Sequence, residues 1–431
     1  MSSERPPSKA TSLIAGSSVY LAANLFSALL SLALVLVLTR YLSPAEYGEA
    51  AIFLTLVSMC TGIVGLNGVA ASARRYYDAL PQHEFAEFMG TCVQIVGATA
   101  LIMMAMFLAL REPLSALLGI QARWLVWAVV VAGFAMLVQL VHTQWQVRGA
   151  TRSSAALQIG ETLTVTLLSL LLVVVLREGS AGRIVATIVS STTFALLALL
   201  LLHRMNLLSV AAWRPEHVRY VLKFGVPLVP HIVAFYTLTA ADRIVIQSEL
   251  GLAQVGIYML AANLAQGALL MFDAINKAYA PWLFERLQSG EPHIKVLIVR
   301  YTYAWFGLLL FGGSLAFYIG PWLVKMVGGE SYAAAGAVIG FLLLGQVFTG
   351  MYLMVTNYVF YAKRTGLLSA VTAASALLNI ALLLVLTPKL GIEGAGMAFS
   401  IAMATRFLLI WWAAHRSHSM PWFTWLAGRT G

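Results

Sequence analysis

The stretch AADRIVIQSELGLAQVGIY, residues Ala240 to Tyr258, sets Asp242 and Arg243 side by side directly after eighteen uncharged residues, Phe224 to Ala241. Charge at the end of an apolar run is expensive and calls for a purpose. The same stretch contains Leu250-Gly-Leu-Ala-Gln-Val-Gly256, which echoes Leu42-Ser-Pro-Ala-Glu-Tyr-Gly48: the leucine, the alanine and the last glycine recur 208 residues later. The chain therefore reads as two copies of one plan.

Working outward, 60% of the 431 residues are hydrophobic, 10% are charged and mean hydropathy is +0.85. A soluble domain has about 45–50% apolar and 25% charged residues. The fold class is an all-α polytopic membrane protein. Cys60 and Cys92 both lie inside apolar runs, so they read as packing residues rather than a disulfide or metal site. The net charge of +10 sets topology here and implies no nucleic acid. The polar, basic start MSSERPPSKATS is followed by no signal-peptide pattern, so the first helix is expected to stay in the mature protein.

Bilayer-length apolar segments need about 20 residues each. Twelve are expected, at 13–38, 48–70, 87–110, 124–146, 155–176, 184–202, 222–243, 252–276, 300–320, 333–360, 366–387 and 392–414. With the N-terminus inside, seventeen basic residues flank inside segments and eight flank outside ones, which favours both termini in the cytoplasm. The loop after His203 divides the chain into a tail 1–12, a six-helix bundle 13–202, a cytoplasmic linker 203–220, a second six-helix bundle 221–414 and a tail 415–431. A weaker repeat pairs Leu172–Gly182 with Leu382–Gly391. Parallel repeats in a chain with short loops are a transporter pattern, with substrate handled where the halves meet.

Few residues can carry chemistry. Ser43-Pro44-Ala45-Glu46 reads as a capping box that starts the second helix. Arg40 just before it either contacts substrate or snorkels to headgroups. Asp242 and Arg243 are expected near the outer end of the seventh helix, about 100° apart around it, so one faces a cavity while the other reaches water or a neighbour. Asp273 and Lys277 share a face of the eighth helix and either pair with each other or line a cavity whose lysine engages an anion. Glu161 has no basic residue three or four positions away; it is a proton-relay candidate or a locally packed polar group. His142, His231 and Arg406 complete the intramembrane set.

Arg74-Arg75-Tyr76-Tyr77 closes the second segment. Two guanidiniums beside two aromatics suit either a phosphorylated lipid or plain anchoring at the cytoplasmic interface. Gly225, Pro227 and Pro230 fall in the first turns of the seventh segment and Pro281 is expected to end the eighth, which gives the second half places to bend. No Walker A pattern, metal-ligand histidine spacing or acidic metal motif is present.

These residues resemble the polysaccharide (O-antigen, Wzx-type) flippases of the multidrug/oligosaccharidyl-lipid/polysaccharide (MOP) exporter superfamily. The resemblance rests on Leu38-Thr-Arg-Tyr-Leu-Ser-Pro-Ala-Glu-Tyr-Gly48, on Gly65-Leu66 followed by Arg74-Arg75-Tyr76, and on Asp242-Arg243 followed by Gly251 and Val255-Gly-Ile-Tyr258. Pro281 and Gly391-Ile-Glu-Gly-Ala-Gly396 extend it over nearly the whole chain. It implies two pseudo-symmetric six-helix bundles in a V-shaped alternating-access transporter, with helices one, two, seven and eight lining a cavity.

The implied cargo is an undecaprenyl-pyrophosphate-linked oligosaccharide, moved across a bacterial inner membrane for O-antigen, capsule or exopolysaccharide synthesis, with a polysaccharide polymerase and chain-length machinery as further partners. Arg40, Arg74, Arg75, Arg243 and Lys277 are the substrate-binding candidates; Glu161, Asp242 and Asp273 are the ion-coupling candidates for a proton or sodium gradient. No cofactor is expected. The alternatives are a drug or metabolite exporter of the same superfamily and, more remotely, a glycan polymerase or ligase, for which the loop around Lys325 to Ser331 is short.

Overall fold

A computed structural model describes residues 9–209, 213–289, 291–362, 364–417 and 420–422. Among them there are fourteen α-helices and no strand. In hydrocarbon no water can pair with backbone N–H and C=O groups, so each apolar run must close its own ladder as a helix.

The chain packs as two compact units whose boundary falls between Ile244 and Val245. The first holds α1 (Lys9–Tyr41), α2 (Pro44–Ile63), α3 (Gly68–Tyr76), α4 (Gln82–Ala109), α5 (Arg111–Leu118), α6 (Ala122–Val147), α7 (Thr151–Ser169, continued by a π-helical turn, Leu170–Val175), α8 (Gly179–Arg204) and α9 (Pro215–Gly225). A 3₁₀ turn, Val226–Leu228, leads into α10 (Val229–Leu250), which crosses the boundary. The second unit continues with α11 (Leu252–Ser289), α12 (Pro292–Gly328), α13 (Ala335–Tyr361) and α14 (Thr365–Ser417).

Nine of the described helices are long and apolar enough to cross a membrane, and the bent pair α2–α3, broken by 48°, makes a tenth. An unbroken α14 would run for about 80 Å, far beyond a hydrocarbon core of about 30 Å. It is broken at Gly391, whose φ of 64° and ψ of −146° are not helical. Residues eight apart in one helix are about 12 Å apart, yet a Cβ on Gly394 would overlap the Leu386 carbonyl. The chain therefore folds back at Gly391, and α14 contains two of the expected segments. With α10, all twelve expected segments have a helix.

Two expectations about boundaries are corrected. The seventh segment does not run over 222–243: the lack of an N–H at Pro227 and the 3₁₀ turn around it split off α9, and the long helix occupies 229–250. Asp242 and Arg243 therefore lie in the interior of α10, not near its end. Pro281 does not end the eighth helix, since α11 continues through it to Ser289.

The first unit is organised around α6, where Leu125, Ala128, Val129, Ala132, Leu140 and Val141 are fully enclosed. Cys60 and Cys92 are buried free thiols in the same unit. The second unit has an aromatic core in which Tyr303, Phe306, Phe407 and Trp411 pack edge to face or stacked. Beyond α14 the chain returns to that core. Trp422 is only 1% exposed, its ring lies 5.6 Å from Tyr358 and 5.8 Å from Trp411, and its carbonyl accepts from the Tyr303 hydroxyl at 2.9 Å.

Candidate functional site

At the α1–α2 junction the capping box is formed as expected. The Ser43 amide donates to Glu46 Oε2 at 2.9 Å and the Glu46 amide donates to Ser43 Oγ at 3.4 Å. These bonds satisfy orphan amides at the start of α2 and hold the helix where Arg40, in the last turn of α1, precedes it. Arg40 is exposed at this end. One turn further on, Glu49 accepts from Ser180 Oγ at 2.6 Å, at the start of α8. Arg183, on the next turn of α8, donates to Ser169 Oγ at 2.6 Å.

Arg183 is a residue that hydropathy does not single out. It directly precedes the uncharged run 184–202 and so reads as a flanking cation, but α8 starts four residues earlier and carries it into the bundle. Gly179, Ser180, Ala181 and Gly182 before it are the available sign, since small residues let helices approach closely.

Arg243 reaches across from α10 to the middle of α2, where Nη1 stands 3.4 Å from Thr55 Oγ1. Thr55 is buried and donates to the Ala51 carbonyl at 2.8 Å, which leaves its lone pairs for the guanidinium. Asp242 accepts from the Arg243 amide at 2.8 Å, so the acid is held against the backbone while the base extends to the second span. The two side chains diverge in mid-helix. The side chain of His231 lies outside the described residues.

On α11, Lys277 Nζ lies 2.7 Å from Asp273, with side chains 66% and 45% exposed. The i, i+4 pair forms, and both partners remain open enough to meet a ligand. Asn276 beside them accepts from Asn357 of α13 at 2.8 Å. Arg406, on the second half of α14, stacks over Tyr352 at 3.9 Å, which places a delocalised cation on an aromatic face inside the second unit.

Glu161 is half-buried on α7. It is flanked by two polar contacts to α1: Gln158 Nε2 donates to Asn24 Oδ1 at 2.9 Å and Thr162 Oγ1 donates to Ser27 Oγ at 3.3 Å. His142, also considered from sequence, is buried and bonded to Ser154 Oγ at 2.8 Å, a packing role.

At the α3–α4 end the two neighbouring arginines separate. Arg75 is enclosed: Nη1 meets Asp78 at 2.9 Å, Nη2 meets Glu84 at 3.7 Å, and the guanidinium lies 4.8 Å from the Tyr220 ring centroid. Arg74 is exposed, with Phe224 beneath it at 5.9 Å. Thus Arg75 ties α3 and α4 to α9, and Arg74 is a cation that this end presents outward. Arg214 adds a second tie, its Nε 2.5 Å from Glu87.

His217 sits inside this junction, 3% exposed, edge-on to Phe88 at 5.5 Å. Burial is the main cause that holds its pKa below the usual 6.5; Arg75 and Arg214 push the same way, and Glu84 and Glu87 oppose them.

Comparison with known proteins places these features in a family. The profile described as "Polysaccharide biosynthesis protein" matches residues 13–286. Two proteins of Haemophilus influenzae are similar along most of their length. One, described as "Lsg locus putative protein 1", is 23% identical over 382 residues, 86% of this chain and 90% of its own. The other, an "Uncharacterized membrane protein", is 25% identical over 381 residues, 86% and 89% of the two chains. Among solved structures, the lipid II flippase MurJ in an inward closed conformation superposes with a TM-score of 0.75 at 14% identity, covering 91% of this chain and 87% of that one. An inward-facing multidrug resistance MATE transporter of the MOP superfamily gives 0.63 at 13% identity, covering 94% and 96%. At these identities the structures share the fold with this chain.

Proposed function

Since this chain belongs to the polysaccharide biosynthesis family of the MOP exporter superfamily, we propose that it is a flippase for an undecaprenyl-pyrophosphate-linked oligosaccharide. The cargo crosses the inner membrane of a bacterium by alternating access, for assembly of a surface polysaccharide by a downstream polymerase and chain-length machinery. Both termini are cytoplasmic in this reading, and the protein forms no covalent intermediate with its cargo.

The observation that carries the proposal is the extent of the family match. Residues 13–286 enclose every cation assigned to the cargo, from Arg40 to Lys277, and every acid assigned to coupling, Glu161, Asp242 and Asp273. Physically, a pyrophosphate needs cations that it can reach. Arg74 is exposed, and Lys277 keeps a side chain 66% exposed beside Asp273; Arg243 stands part-way down a span, near Thr55. Moving the sugar moiety through the bilayer needs polar groups along the spans, and the Gln158–Asn24 and Thr162–Ser27 contacts beside Glu161 supply them. A proton or sodium ion exchanging on these carboxylates is the coupling we assign.

Deletion of the gene tests the proposal: surface glycan should disappear and its lipid-linked repeat unit accumulate on the cytoplasmic side, whereas an unchanged glycan would refute it. The likeness to a multidrug transporter supports a second reading, export of a drug or metabolite. Gradient-driven uptake of a cationic dye into inverted vesicles, with normal glycan in the deletion strain, would establish that reading instead.

A further inference from the structure

The helix α9 presents a face that the flippase reading does not use. His217, Val221 and Gly225, spaced four apart, are buried against the first unit. Tyr220 and Phe224, next around the helix, lie under Arg75 and Arg74. On the other side Val218, Leu222 and Val226 form an apolar strip, and Arg219 and Lys223 form a cationic strip directly beside it. Trp213, Pro215, Val218, Arg219, Leu222, Lys223 and Val226 together line an open hollow of about 590 Å³.

Two features of the hollow need explaining. Trp213 is 64% exposed and Leu222 and Val226 are exposed beside it, which is apolar surface on a segment too short and too polar to span. Arg219 and Lys223, four apart on one face, have no acidic partner among the described residues, although Glu87 and Glu84 nearby are taken by Arg214 and Arg75. A helix with one buried face, an exposed tryptophan–leucine–valine surface and adjoining free cations suits the headgroup layer, where apolar side chains enter the acyl boundary and cations meet phosphate.

We propose that this hollow is a binding site for an anionic phospholipid of the bilayer. Arg219 and Lys223 hold its phosphodiester, and Trp213, Leu222 and Val226 pack on the upper part of its acyl chains. A diacyl anionic lipid suits the lining because apolar and cationic groups alternate within one hollow rather than forming the wholly polar pocket that a free phosphate would need. The assignment stands whatever the transported cargo is.

The test uses the full-length protein in phosphatidylcholine vesicles doped with dibrominated phosphatidylglycerol or, at equal mole fraction, dibrominated phosphatidylcholine. The Trp213 contribution to quenching is the difference between the wild type and Trp213→Phe. It should be strongly biased to the glycerol lipid at low salt. The bias should fall about fivefold for Arg219→Gln or Lys223→Gln alone, and about thirtyfold for both together, while the exposed control Lys325→Gln leaves it unchanged. Equal quenching by the two lipids, or a bias that survives the double substitution, would overturn the proposal. So would selective displacement of the glycerol lipid by a trace of polyprenyl phosphate, which would assign the hollow to the transported lipid instead.

Discussion

The carbonyl oxygen of Leu66 occupies the space in which any side chain on Gly225 would begin. Leu66 stands between Gly65 and Asn67, and all three have positive φ, at 80°, 44° and 60°. This run makes the break between α2 and α3. Gly225 closes α9, immediately before the 3₁₀ turn into α10. The bend in the second span and the entry to the seventh therefore touch, so a change at one is felt at the other.

Gly225→Ala is expected to destabilise the protein by about 1–3 kcal/mol, because the methyl group must displace backbone rather than a flexible side chain. Gly267, in α11, has open space around its Cα; Gly267→Ala should be neutral or stabilising, since alanine favours helix by about 1 kcal/mol over glycine. Thermal denaturation of the two purified variants distinguishes them. Equal melting temperatures would mean that the α2–α3 break does not depend on α9.

The Ser43–Glu46 box predicts a smaller, local cost. Ser43→Ala should lose about 1 kcal/mol, and Ser43→Asp should recover most of it by accepting the same amide. Reversible unfolding in mixed micelles would measure both. A loss above about 3 kcal/mol would indicate a role for Ser43 beyond capping.

Arg243→Ala and Lys277→Ala are expected to abolish restoration of surface glycan in a deletion strain, whereas Lys325→Ala should restore it fully. Lys325 pairs with Glu330 at 2.6 Å, away from the spans' interior. A charge-assisted hydrogen bond is worth about 1.5–3 kcal/mol, so each loss should slow translocation by about ten- to a hundredfold. Thr55→Val should give an intermediate defect by releasing Arg243. If all three alanine variants complement alike, the cargo role of Arg243 and Lys277 fails. Asp273→Ala should also impair glycan export, because this acid is assigned to coupling as well as paired with Lys277; full export in that variant would remove Asp273 from the coupling set.

His217 gives the α9 junction a pH dependence of definite sign. Its pKa is lower in the folded protein than the usual 6.5, so the unfolded state takes up a proton first as pH falls. Stability is therefore full above about 6.5 and declines below it, down to the folded pKa. Arg75, Arg214, Glu84, Glu87 and Phe88 face the ring, and the two arginines oppose a second positive charge there. Hydrogen-exchange protection in residues 215–225, corrected for the intrinsic pH dependence of exchange, should be lower at pH 5 than at pH 7.5, and His217→Phe should remove the difference. Unchanged protection at both pH values would show that the ring is solvated in place.

What could be read in advance follows from how local each interaction is. The Ser43–Glu46 cap spans three residues and was visible in the sequence. The twelve segments were visible because hydrocarbon admits so few polar residues. The register of the seventh was not, since hydropathy places its start at 222 while the backbone restarts at 229 after Pro227. Arg243 consequently seemed terminal, and its partner Thr55, 188 residues away, had no local sign at all. Arg183 was misplaced for a similar reason: only the fold shows that α8 begins before it. The Arg75 cluster was legible as charge and aromaticity, but its carboxylate partner Glu84 and its ring partner Tyr220 come from α4 and α9.

The burial of Trp422 has a consequence for biogenesis. The second unit completes its aromatic core with a residue that lies after α14, and that residue leaves the ribosome after the helices α1 to α14 have been made. The first unit contains its own enclosed core around α6 and can consolidate while synthesis continues. The second must wait with Tyr303, Tyr358 and Trp411 uncovered until the tail arrives. Its exposure to quality-control proteases is therefore set by the segment that carries Trp422 rather than by the long helices before it.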